Sequence, residues 1–215
     1  MSGHAQQLIR SGLLLGVIAL LGTALLAGVE DLTRERIVEQ EKRRVLQQLN
    51  EIIPASSFDN DLLMDVINIK DEKSFRHPAP VTVYRARVDG SPVAVMMNII
   101  APDGYNGDIR LLVGIDASGM VLGVRVISHR ETPGLGDPIE IGKSDWILDF
   151  TGHSLGRPES DGWAVKRDGG EFDQFTGATI SPRAVVRAVH NTLMYFQANR
   201  QLLFDKPSRT ETAHD

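Results

Sequence analysis

Two threonines, Thr176 and Thr179, flank the pair Gly177-Ala178 in the stretch Asp173-Gln-Phe-Thr-Gly-Ala-Thr-Ile-Ser-Pro-Arg183. A helix start comes directly after them. Ser181 is a favourable N-cap, Pro182 suits the first helical position, and Arg183 adds a cation to the first turn. Val185, Val186, Val189, Leu193 and Phe196 then recur at helical spacing, which predicts an amphipathic helix. The opening of such a helix offers unpaired N–H groups and partial positive charge, a setting that suits a phosphate. Thr179 thus holds its hydroxyl beside an anion site, and Gly177 lets the backbone come close to whatever binds there. A hydroxyl-rich loop that only caps a helix would use the same eleven residues.

Other chemistries find little support. The chain has no cysteine, which excludes disulfides, thiolate zinc sites and cysteine-ligated iron–sulfur clusters. Electrons passing through it would ride on an organic cofactor or on a differently ligated metal. His77, His129, His153 and His190 show no paired metal spacing. Glu131 lies near His129, but no nucleophile accompanies them, so hydrolysis is not indicated. All 28 acidic residues and 22 of the 23 Lys and Arg residues lie beyond Val29, a net charge of −6 for that part. Nucleic-acid binding wants a basic face and is not expected.

The motif needs a scaffold, and the middle of the chain reads as β structure. Val81, Val83 and Ala86 alternate up to Asp89-Gly90, a strong hairpin turn, and Val93, Val95 and Ile99 come after it. A second hairpin is predicted from Ile109–Ile115 and Met120–Ile127, turning at Asp116-Ala-Ser-Gly119. Ala101 to Asp108 reads as a turn-rich connector between the two. Four antiparallel strands with helices before and after predict an α+β fold, an antiparallel sheet with packed helices. Residues 206–215 are polar and predicted to be a disordered tail.

Ser11 to Val29 carries no charge and is apolar on every face, which predicts one transmembrane helix rather than a buried soluble one. Its nineteen residues would reach roughly 28 Å, near the thickness of a bilayer. A signal peptide is the competing assignment, with Ala24-Leu-Leu-Ala27 as a loose cleavage site, but the apolar run exceeds a usual signal core. Residues 30–54 read as a juxtamembrane helix ending before Pro54, with Val45, Leu49 and Ile52 on one face. Arg10 precedes the span, whereas Arg34, Arg36, Lys42, Arg43 and Arg44 lie beyond it. By the positive-inside rule that count puts the C-terminal side in the cytoplasm.

Four segments in order resemble the FMN-binding domains of Rnf (Rsx) electron transport complexes. They are Gly104-Tyr-x-Gly-x-Ile109, His129-x-Glu-Thr-Pro-Gly-Leu-Gly136, Asp168-Gly-Gly-x-Phe-Asp173, and Asp173 followed by Thr176-Gly-Ala-Thr179. The likeness runs from about Val81 to Phe196, more than half of the chain. It implies FMN joined to Thr179 by a phosphoester bond, with Thr176, Gly177, Ala178, Ser181 and Arg183 around it. A dedicated flavin transferase would recognise Asp173 and take FMN from FAD with magnesium. In the loop from His129 to Asp137, Thr132-Pro133 is extended and Gly134 and Gly136 leave a side-chain-poor wall. A flat ring would lie against it, with Glu131 and Thr132 bonding ring atoms and Leu135 and Gly136 along one face. Tyr105 and Trp163 are candidates for stacking and Lys166 for a further contact, although packing in the core or a turn accounts for both rings.

The resemblance also implies a place in the cell. Residues 1–10 would be a short cytoplasmic tail, 11–29 the anchor in the lipid bilayer of a bacterial inner membrane, and 55–205 a periplasmic domain. That is opposite to the Lys and Arg count, and the periplasmic placement is the expectation adopted. The chain would carry electrons among other subunits of a complex that couples exchange between ferredoxin and NAD to ion movement. The equivalent FMN subunit of the sodium-translocating NADH:quinone reductase shares the motif, but the compact chain and the His129–Gly136 loop favour the Rnf side. A membrane-anchored binding domain without cofactor is the alternative from another class.

Overall fold

The computed structural model describes residues 3–208, without part of the side chains between residues 3 and 41. It divides into two units, Met1–Val45 and Leu46–Asp215.

In the first unit the chain is helical, as part of α1 (Gly3–Asn50). Leu13, Leu14, Leu15, Val17, Leu20, Leu21 and Leu25 are exposed along it. Among the described residues no helix is long and apolar enough to cross a membrane. The predicted span includes side chains outside that description, namely those of Ser11, Ile18, Ala24 and residues 26–29. Farther along, Glu39 and Arg43 pair at 2.6 Å with helical i, i+4 spacing.

The second unit is an α+β domain. Its sheet is an antiparallel meander of β1 (Val66–Ile69), β2 (Val81–Val88), β3 (Ser91–Gly104), β4 (Gly107–Asp116) and β5 (Val121–Ser128), in that spatial order, with a short helix α2 (Glu72–Phe75) between β1 and β2. The Asp89-Gly90 turn has φ of +49° and +74°, the primed geometry that matches the twist of a hairpin. At the β4–β5 turn the Asp116 carboxylate accepts from the backbone of Ser118 and Met120. Its pKa is lowered: burial raises it, but hydrogen bonds from Ser118, Met120 and Gly119 outweigh burial. Both predicted hairpins are present.

Two expectations are corrected. The sheet has five strands rather than four, because Val66-Ile-Asn-Ile69 pairs with β2 as a short edge strand. The connector from Ala101 to Asp108 is itself strand, with a register shift between Ala101 and Gly104 and a tight turn at Tyr105-Asn106. Three strand pairs therefore form consecutive hairpins from β2 to β5.

Each face of the sheet buries a different partner. On one, Val83, Val95, Met97, Ile99, Leu111 and Val113 meet Val185, Val189, Leu193 and Phe196 of α3 (Ile180–Asp205) in the main core. The alternation of β residues and the helical spacing of the valines put both apolar faces together. On the other, Leu49, Ile52, Ile53, Leu62, Met96 and Leu112 are buried. Gly114 and Gly123 face each other across β4 and β5 there. A Cβ on Gly114 would come within 2.3 Å of Ile52 Cγ2, so the glycine leaves a socket for that isoleucine.

The end of α3 is tied down by two arginines, one buried and one half-buried. Arg85, 2% exposed, donates through Nη1 to the carbonyls of Phe204 (3.2 Å) and Lys206 (2.5 Å). Arg87 Nη2 donates to Phe204 O at 2.6 Å, and the Asp65 carboxylate accepts from Arg85 Nε and Arg87 Nε at 2.6 and 2.7 Å. Lys206, the first residue of the predicted tail, also donates from Nζ to Asn68 O. Residues 209–215 of that tail lie outside the described residues.

Candidate functional site

The motif is anchored before it is presented. Phe172 is buried, 4.6 Å from Phe150 and 5.4 Å from Trp163 between ring centroids. Trp146 Nε1 donates to Asp173 O at 2.8 Å, and its ring meets Phe175 edge-on at 5.3 Å. The chain then turns. Ala178 N–H donates to Phe175 O at 3.1 Å, and Gly177 takes φ of +81°, the left-handed value that a type II turn requires at its third position. Thr176 is left exposed at the tip of this turn. Thr179 is half-buried and lines an open cleft of about 150 Å³. The two threonines are thus separated, one exposed and one lining the cleft.

Helix α3 starts earlier than the sequence suggests. Its first residue is Ile180 and Thr179 is the cap, with no capping bond from the threonine side chain. Ser181 is not the N-cap. Its hydroxyl, buried, donates to Glu131 Oε2 instead. Pro182 falls inside the first turn, where its missing N–H costs nothing. Arg183 N–H donates to Thr179 O, which closes that turn at 3.2 Å.

The second wall is the loop from His129 to Asp137, and Glu131 organises it. Glu131 is 4% exposed. Besides Ser181, it accepts from the N–H of Tyr105 at 3.2 Å and of Asn106 at 3.0 Å. One carboxylate therefore ties the β3–β4 turn, the loop and the first turn of α3. Three donors satisfy a buried charge that would otherwise be costly. His129 supports the arrangement, since its Nδ1 accepts from Glu131 N–H and its Nε2 lies 2.5 Å from Glu140 Oε1. A Cβ on Gly136 would come within 2.6 Å of Ser181 Oγ and 3.0 Å of Glu131 Cβ, so only glycine permits this closeness. Gly134, at φ of +76°, donates to Asp137 Oδ1.

Tyr105, Glu131, Thr132, Leu135 and Gly136 face Gly177, Ala178, Thr179, Ile180 and Ser181 across the cleft. Its floor is polar and its rim apolar: Tyr105, Leu135 and Ile180 are 65%, 47% and 42% exposed. A hydroxyl at the base, a helix opening beside it and flat apolar surface at the rim fit the phosphate and the ring of a flavin mononucleotide. Glu131 belongs to this cleft, but its oxygens are committed to the protein's own donors.

The charges around Thr179 are arranged in pairs. Arg183 Nε and Nη2 donate to the two oxygens of Asp168 at 2.6 and 2.8 Å. That fork holds the Asp168 carboxyl below the usual carboxylate range and raises the guanidinium of Arg183. Lys166 pairs with Asp173 at 2.6 Å, so the carboxylate at the head of the motif has a cation beside it. Arg167 Nη1 lies 3.4 Å from Thr179 Oγ1.

Sequence reasoning singles out Lys166 and misses Arg167, its neighbour. Nothing in the spacing marks Arg167, because its approach to Thr179 depends on how a 3₁₀ turn at Lys166–Asp168 is aimed. Ile180, an exposed apolar residue of the cleft rim, carries no signal in the sequence beyond its place before the helix. Trp163 is away from the cleft, stacked on His190 at 5.3 Å and buried in the core. Among the described residues no group of three or more metal-ligating side chains occurs.

Two family models match the chain. One, described as an FMN-binding domain, covers residues 104–194, and one, described as an RnfG N-terminal region, covers residues 1–52. The first embraces the Tyr105 turn, the Glu131 loop and the Thr179 motif alike. A protein of Shewanella loihica is 48% identical over 210 residues, 98% of this chain and 99% of its own length. One of Pseudomonas aeruginosa is 50% identical over 198 residues, 92% of both chains. One of Vibrio cholerae is 46% identical over 202 residues, 94% of this chain and 96% of its own. Each of the three is named as the G subunit of an ion-translocating oxidoreductase complex. At that identity and coverage, with an FMN-binding model lying across the cleft, the chain belongs to the family of G subunits of the ion-translocating oxidoreductase complex.

Proposed function

We propose that this protein is an FMN-carrying electron-transfer subunit of a redox-driven ion-translocating complex, with the flavin joined covalently to Thr179. The observation that carries the attachment is the placement of the two threonines. Thr179 is half-buried and lines the cleft, while Thr176 is exposed at the outside of the turn. FMN supplies reversible electron transfer when bound. The chain's own residues supply a fixed seat for it. Leu135, Tyr105 and Ile180 offer apolar surface to the ring, and the bonds of Glu131 keep the three walls at a constant separation. The tether keeps a carrier from losing a cofactor that it could not recapture.

Attachment needs an outside catalyst. No side chain placed to act as a base contacts Thr179 among the described residues; its recorded partner is Arg167. An unactivated hydroxyl is a weak nucleophile. A flavin transferase would bring FAD: Thr179 Oγ1 forms its bond to the phosphorus of the FMN half, the bond to AMP breaks, AMP leaves, and the hydroxyl proton passes to the transferase. Asp173, exposed and paired with Lys166, lies on the outer surface where such an enzyme can read it.

The test is in-gel flavin fluorescence of the denatured full-length protein, produced with its transferase. Wild type is expected to fluoresce, Thr176→Val to keep attached flavin, and Thr179→Val to have none. Flavin retained on Thr179→Val would overturn the attachment.

The segment 11–29 serves as a single membrane anchor in this proposal. Seven exposed large apolar side chains between Leu13 and Leu25 support it, since a helix so clad has no reason to face water. The domain is placed in the periplasm. A reporter fused after Asp215 tests the side: alkaline phosphatase is expected to be active and a cytoplasmic fluorescent protein dark. The reverse pattern would refute the periplasmic placement and leave the anchor standing.

A further inference from the structure

The cations near Thr179 differ in one respect. Lys166 is paired with Asp173 at 2.6 Å, Arg183 is paired with Asp168 at 2.6 Å, and Arg187 is paired with Asp103 at 2.9 Å. Arg167, between the first two in sequence, forms no ion pair within 4 Å among the described residues, although its charge is felt at Asp168. Its guanidinium reaches Thr179 Oγ1 instead, at 3.4 Å. It is also held in place from behind. Gln174 Oε1 accepts from Arg167 N–H at 3.0 Å, and Gly169, at φ of +92°, ends the turn that carries it. A bracing interaction for the loop would be made as well by a neutral side chain. A guanidinium without a hydrogen-bonded carboxylate of its own, at the Thr179 hydroxyl, suits a negative group that is added later.

We propose that Arg167 is the cation that holds the flavin phosphate on Thr179. This rests on the covalent attachment proposed above and adds a residue to it. A phosphodiester on Oγ1 keeps one negative charge, on free oxygens two bonds beyond the atom that Arg167 already reaches. The planar fork of a guanidinium matches such oxygens in geometry as well as in charge. Arg183 is less suited to the task, because its Nε–Nη2 edge is already engaged in a fork with Asp168. Arg167 is a binding and positioning residue; it forms no bond to the flavin and exchanges no proton.

The experiment uses the full-length protein from cells lacking flavin transferase, loaded in vitro with purified transferase, FAD and magnesium. In-gel fluorescence gives the loading rate and ³¹P NMR of the loaded, native protein gives the environment of the phosphate. Arg167→Gln is expected to load about tenfold more slowly, the scale of one charge-assisted hydrogen bond. Arg167→Lys, which keeps the charge, is expected to recover most of that rate. The ³¹P resonance of native wild type is expected to differ from its value in denaturant, and that difference to shrink in Arg167→Gln. A role in loop bracing or in transferase recognition alone would leave the resonance where wild type has it. An Arg167→Gln protein that loads at the wild-type rate, or whose resonance is unchanged, would overturn the proposal. If that variant takes up no flavin, failure of Arg167→Lys to restore loading would overturn it instead. Flavin attached to Thr179→Val would be a failure of the attachment itself, and is read separately.

Discussion

At the C-terminal end of α3, Arg85 and Arg87 donate to the carbonyls of Phe204 and Lys206, and Asp65 holds both guanidiniums. At the N-terminal end, Thr179 makes no capping bond and Ser181 gives its hydroxyl to Glu131, so the first N–H groups are left for something else. At the far end Arg85 is buried, with Arg87 and the Asp65 carboxylate half-buried beside it. The cations at the near end are exposed and paired at the surface, except for Arg167. One helix thus has one end closed by its own chain and one end open. Buried, fully bonded charge fixes a helix in place, whereas an incompletely bonded opening is what an anion can occupy. The cost of leaving the near end open is borne by the far end.

The largest effect on stability is expected where the helix is closed. Arg85→Ala takes one of its two arginines from the Asp65 carboxylate and removes the Arg85 donor from the Lys206 carbonyl, while Phe204 O keeps Arg87, a loss of about 3 kcal/mol. Urea denaturation would measure it, and the flavin carried per folded molecule is expected to stay at the wild-type level. A variant that lost stability and flavin together would show that the two ends are not independent.

A smaller effect is expected at the joint between them. His190 stacks on Trp163 midway along α3, and burial pushes its pKa down. The folded protein therefore favours the neutral ring more than the unfolded chain does. As pH falls below about 6.5, the unfolded chain takes up the proton first and folding stability declines, until the folded-state pKa is passed. Thermal unfolding from pH 7.5 to 5 is expected to show this decline in wild type and less of it in His190→Gln. Hydrogen exchange sharpens the comparison: the acid loosening should fall around Trp163 and Phe172, not around Arg85 and Phe204. The smallest effect on stability is expected for Thr179→Val, the variant of the proposed attachment site, because that hydroxyl's one hydrogen-bond contact among the described residues is a long one from Arg167. Its unfolding midpoint is expected to match that of unloaded wild type.

The parts of this molecule that are legible in the sequence are those whose cause is local. Asp89-Gly90 announces its hairpin because both residues must take positive φ, and few other pairs do so cheaply. The valine spacing of α3 reports one buried face, and the Thr176–Thr179 motif carries its own turn through Gly177. The features that the sequence conceals depend on distant partners. Ser181 looks like an N-cap by composition, but Glu131, fifty residues earlier, takes its hydroxyl. Arg167 gains its meaning from where a 3₁₀ turn points it, and β1 is four residues long, too short for alternation to declare it. The connector from Ala101 to Asp108 has turn residues throughout, yet sheet pairing with β4 and a bulge make most of it strand.

The simple meander of the sheet bears on when the protein matures. Every strand pairs with its neighbour in sequence, so the sheet can form hairpin by hairpin as the chain emerges. The segment from Asp145 to Asp205 comes last, and it supplies α3, Thr179 and the aromatic residues that anchor the motif. The acceptor hydroxyl and the Glu131 loop, made far earlier, meet only when that final helix docks. Under the proposed attachment, modification would act as a late checkpoint: a transferase that required the assembled cleft would load finished domains and pass over chains whose last helix had not yet closed.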